Sequence, residues 1–77
     1  MRILSLTATG RLAERIVRQT GGLVPVEQLV CWLEGLDVET DRARAGVHLA
    51  TIVGRLDAVD DEGRPCVRLP SARAEVA

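Results

Sequence analysis

The run Leu56-Asp57-Ala58-Val59-Asp60-Asp61-Glu62-Gly63-Arg64-Pro65-Cys66-Val67-Arg68-Leu69 most restricts what this chain can fold into. Two short runs bearing Ala, Val and Cys flank an acidic turn that contains glycine. That pattern predicts a β-hairpin with strands near 57–60 and 65–69. Directly before it, Asp41 to about Leu56 reads as a helix. On this helix Ala45, Leu49, Ile52, Val53 and Leu56 fall on one side. Arg44, His48, Thr51 and Arg55 follow an i, i+4, i+7, i+11 spacing on another. Ala43, Val47, Ala50 and Gly54 make a further stripe, tiny except for Val47. Such a stripe suits either a closely packed second helix or a dimer or partner surface.

Two more helical segments lie upstream. The first spans about 10–20, with Leu12, Ala13, Ile16 and Val17 inward and Arg11, Glu14, Arg15 and Arg18 outward. Thr7 or Thr9 is placed to cap it, and Gly21-Gly22 to stop it. The second spans about 25–35, with Pro25 at its first position, where a missing N–H costs nothing. Its buried face repeats at Val26, Leu29, Val30 and Leu33, with Trp32 and Leu36 beside it and Cys31 pointing away. Thr40 or Asp41 is the expected cap of the third helix. Met1–Thr7 reads as a short strand, and Leu23-Val24 as an extended piece beside the hairpin, since the residue before a proline favours that geometry.

Three helices closed by a hairpin, with a short N-terminal strand, is the layout of a small α+β winged helix-turn-helix. The expected domain is 1–70. Residues 71–77, rich in Ala and without pattern, are expected to form a flexible tail.

Composition narrows the function. The chain has 77 residues, one Trp, no Phe and no Tyr, so the aromatic platforms that stack single-stranded nucleic acid are excluded. Net charge is −1 and every basic residue is arginine. A domain built for electrostatic capture alone is normally basic, so DNA binding would depend on where the arginines sit. Cys31 and Cys66 stand far apart, with no secretory segment or membrane-length apolar run. That predicts a cytoplasmic protein with two free thiols. Cys31, His48 and Cys66 lack paired metal-ligand spacing. His48 is the sole histidine and no phosphate-binding glycine loop occurs. No enzymatic activity and no cofactor are expected.

The assembled residues resemble the winged-helix effector domain of OmpR/PhoB-type response regulators over about residues 4 to 69. Leu6-Thr7 resembles that family's Leu-Thr step into its first helix. Gly21-Gly22-Leu23-Val24-Pro25-Val26-Glu27-Gln28-Leu29 resembles its step into the second. Val47-His48-Leu49 with Ile52, Arg55 and Leu56 resembles its recognition helix, and Gly63 to Leu69 its closing strand. Gly46, Thr51, Val53 and Glu34 depart from the family's pattern.

The resemblance implies a DNA-binding transcriptional regulator. Arg44, His48, Thr51 and Arg55 would enter the major groove of double-stranded DNA. Arg42, Arg64 and Arg68 would meet phosphates. A second reading is an adaptor that binds a partner protein or another copy of itself through Asp60, Asp61 and Glu62 or through Ala43, Val47 and Ala50. Its warrant is the acidic hairpin, where like charges oppose phosphate.

Overall fold

The computed structural model describes residues 4–70. Along the chain come α1 (Leu6–Thr20), β1 (Val24–Pro25), α2 (Val26–Gly35), α3 (Thr40–Ile52), β2 (Asp57–Asp61) and β3 (Arg64–Arg68). The strands form one antiparallel sheet in the order β1-β3-β2. This is the expected winged helix-turn-helix, including the strand between the first two helices. The expected tail at 71–77 lies outside the described residues.

The hairpin register follows from its turn. Asp61 pairs with Arg64, which leaves Glu62-Gly63 as a two-residue loop with φ of 54° and 85°. Two left-handed central residues mark the type I′ turn, whose twist matches that of its strands. Pro65 falls beyond the end of the β1 pairing, which covers only Cys66 and Val67. There its missing N–H leaves no third strand short of a donor.

The start of the chain differs from the expectation. Leu4 and Ser5 belong to no strand, Leu6-Thr7 already form the first turn of α1, and residues 1–3 lie outside the described residues. The cap is Ser5, whose hydroxyl oxygen accepts from the Ala8 N–H at 3.0 Å. Thr7 and Thr9 are inside the helix. Thr9 is fully buried, and its hydroxyl donates to the Ser5 carbonyl at 2.9 Å.

The link from α2 to α3 is a Schellman motif. Asp37 adopts φ 70°, its N–H donates to the Glu34 carbonyl, and the Val38 N–H donates to the Leu33 carbonyl. Val38 and Leu33 are both buried, the apolar contact that accompanies this cap. Neither Thr40 nor Asp41 caps α3. Glu39 holds that position without a side-chain bond, and the Thr40 hydroxyl instead donates to the Glu34 carboxylate.

The buried stripe of α3 is the small-residue one. Ala43, Gly46, Val47 and Ala50 face inward, whereas Ile52 and Val53 are 65% and 57% exposed. The cause is the crossing with α1. A Cβ built on Gly46 would lie 2.7 Å from the Cβ of Thr9, and closer still to its methyl group. A Cβ on Gly10 would lie 3.1 Å from the Gly46 carbonyl oxygen. Small residues therefore let the two backbones touch. α3 ends at Ile52 rather than Leu56, because Gly54 turns left-handed at φ 86°. The Arg55 and Leu56 N–H groups then both donate to the Ala50 carbonyl, and Leu56 swings back into the core at 1% exposure. Val17, Leu29, Leu33, Val24 and Val67 complete that core.

Candidate functional site

The exposed side of α3 and the hairpin enclose a groove of about 590 Å³. Val26, Val47 and Val67 form its apolar floor. Arg44, His48 and Thr51 stand on one lip, and Ala58, Asp60 and Pro65 on the other. Thus the structure brings together three of the four residues expected on the reading face of α3. Arg55 is separated from them, because it lies past the helix end. It lines a smaller pocket with Thr7, Gly10 and Val53 on the α1 side.

The donors on this surface are largely engaged. Both terminal nitrogens of Arg44 donate to the Glu27 carboxylate, at 2.9 and 3.0 Å. That hydrogen-bonded pair holds the Glu27 carboxyl below its ordinary range and raises Arg44, first through the bonds and then through charge. Both side chains are exposed, so salt screens the pair. Arg55 donates to Glu14 at 3.1 Å, and Arg18 donates to the other oxygen of the same carboxylate at 2.9 Å. Arg42 donates to the Leu4 carbonyl at 3.0 Å, so it fastens the start of the chain to α3. The Thr51 hydroxyl donates back to the His48 carbonyl at 2.7 Å. His48 is exposed.

Arg64 and Arg68 are exposed on β3 and do not line the groove. Alternation along a strand puts them on the sheet face opposite Pro65 and Val67. The seven residues expected to meet DNA therefore occupy four separate places: the groove lip, the α1 side at Arg55, the Leu4 carbonyl that holds Arg42, and the far face of the hairpin.

The adaptor residues also divide. Asp60, Asp61 and Glu62 are exposed. Ala43, Val47 and Ala50 are at most 3% exposed, so they are core and not a partner surface. Only Val47 reaches the groove floor. Val26, Ala58 and Pro65, absent from the expected sites, help build the groove. Glu27 and Glu14 were likewise unmarked, because each meets an arginine far away in sequence and no local spacing signals it.

Among the described residues no group of three potential metal ligands is present, and no helix is long and apolar enough to cross a membrane. Comparison with known protein families, curated proteins and solved structures finds no match to this chain.

Proposed function

We propose that this winged-helix domain is a protein-interaction adaptor that presents the groove between α3 and the hairpin to a partner, and that it does not read an operator. The carrying observation is the bidentate Arg44–Glu27 pair on the lip of the groove. Arg44 is the arginine best placed to read a base edge, and a bidentate base contact needs the same two nitrogens. If Arg44 left for DNA, the Glu27 carboxylate would remain beside the phosphates. The hairpin adds to the cost, with four carboxylates against two arginines. Arg55 is held on the α1 side by Glu14, so it supplies no second reading contact.

What the surface offers instead is an apolar floor with polar lips, in keeping with the apolar core and polar rim of protein interfaces. Titration of the folded protein with duplex DNA at low and high salt tests the reading. Negligible binding at both is expected. Sequence-dependent binding that is lost in Arg44→Ala would restore the regulator reading.

A further inference from the structure

We infer that the groove between α3 and the hairpin takes a basic protein segment anchored by one or two aliphatic side chains. This rests on the adaptor reading and names the chemistry of its partner. The anchor follows from the floor. Val47 and Val67 are buried at its base, and the half-buried Val26 with the exposed Ala58 and Pro65 supplies the open apolar surface around a volume of about 590 Å³. An aliphatic side chain there displaces water that finds few polar partners below it.

The charge follows from the hairpin register. Asp57 stands opposite Arg68 and Asp61 opposite Arg64, so these two carboxylates are offset across the strands. Asp60 stands opposite Pro65, and Glu62 sits in the turn. Neither has an arginine facing it in register. On the other lip Arg44 is neutralised by Glu27. The rim of an apolar groove is therefore left with the negative charge of Asp60, and Glu62 adds to it from the adjoining turn, next to the groove-lining Gly63. A Lys or Arg near the partner's aliphatic anchor is attracted there, and a polyanion is repelled.

The test is display of a random-peptide library against the folded 77-residue protein. Recovered peptides are then titrated against wild type, the double variant Asp60→Asn/Glu62→Gln, and Ala58→Arg. The expected peptides carry Lys or Arg close to Leu, Ile or Val. The double variant should weaken them about tenfold, with an effect that shrinks as salt rises. Ala58→Arg, on an exposed lip position, should abolish binding by filling the groove. Both variants should keep the wild-type circular dichroism. Amide shifts on binding should cluster at Val47, His48 and Ala58.

Recovery of no peptide, of peptides without basic residues, or of peptides indifferent to these substitutions overturns the inference. So does a concentration-dependent dimer that Ala58→Arg abolishes, since the occupant would then be a second copy. Peptides that map to the exposed Trp32 and Leu36 instead would remove the groove assignment and leave the adaptor reading standing. Duplex DNA that competes for the groove would remove both.

Discussion

Replacing Gly46 with alanine should destabilise the domain, although alanine is the better helix former. The new Cβ would stand 2.7 Å from the Thr9 Cβ and 3.3 Å from the Gly10 nitrogen. Carbon–carbon contacts rest at about 3.5–4.0 Å, so α1 must retreat by roughly 1 Å. Thr9 cannot turn away, because it is fully buried and its hydroxyl is held by the Ser5 carbonyl. Overpacking of this kind costs about 1–3 kcal/mol. Removing a mid-helix glycine returns up to about 1 kcal/mol. The net loss should be about 1–2 kcal/mol, and each kcal/mol lowers Tm by about 4–8 °C in a domain this small. Urea and thermal unfolding followed by circular dichroism measure it. Gly35→Ala is the control, since nothing lies within 4 Å of its added Cβ, and it should be neutral or slightly stabilising. Adding Thr9→Ser to Gly46→Ala removes the methyl group and keeps the hydroxyl, so it should recover part of the loss. A Gly46→Ala protein as stable as wild type would refute the close crossing of α1 and α3.

Three further outcomes are expected. Ser5→Ala removes the α1 cap and should cost about 1 kcal/mol in urea unfolding; an unchanged midpoint would mean that the helix starts elsewhere. Asp37→Val puts a β-branched residue at φ 70° and should cost about 1–2 kcal/mol, whereas Asp37→Gly should be tolerated; equal stability of the two would contradict the Schellman geometry. The lowered Glu27 carboxyl contributes stability above its unfolded-state pKa, and this is lost as pH falls through the folded-state value. The stability gap between wild type and Glu27→Gln should therefore narrow on acidification, and also with added salt. A gap constant from neutral pH down to pH 3 would disprove the pair.

The fold was legible because its punctuation is local. Gly21-Gly22, Pro25 and Glu62-Gly63 mark boundaries whatever packs around them, and the helical periodicity of Leu29, Val30 and Leu33 survived intact. Close packing of a helix on the small-residue stripe of α3 was one of the two readings its spacing offered, but the glycine that matters there is Gly46 and not Gly54. Ranking by hydrophobicity favours Leu49, Ile52 and Val53, but close approach of α1 rewards Ala43, Gly46 and Ala50. Val38, in the connection from α2 to α3, is buried because the Schellman turn folds it back on Leu33, which no periodicity in the sequence signals. Half of the site was legible in the same sense. Helical spacing alone put Arg44, His48 and Thr51 on one lip. The fate of the charges was not, since Glu27 meets Arg44 and Glu14 meets Arg55 only through tertiary folding. Arg55 was grouped with the reading face because the helix was carried on to Leu56, past the left-handed turn at Gly54.

The adaptor reading is tested most directly by selecting from a random-sequence duplex pool with the folded protein, then measuring the recovered duplexes by fluorescence anisotropy at two salt concentrations. With Arg44 held by Glu27 and the hairpin rim negative, no sequence should be enriched and any residual affinity should vanish at the higher salt. Enrichment of a defined sequence, bound at both salt concentrations and lost in Arg44→Ala with the fold intact, would contradict the account.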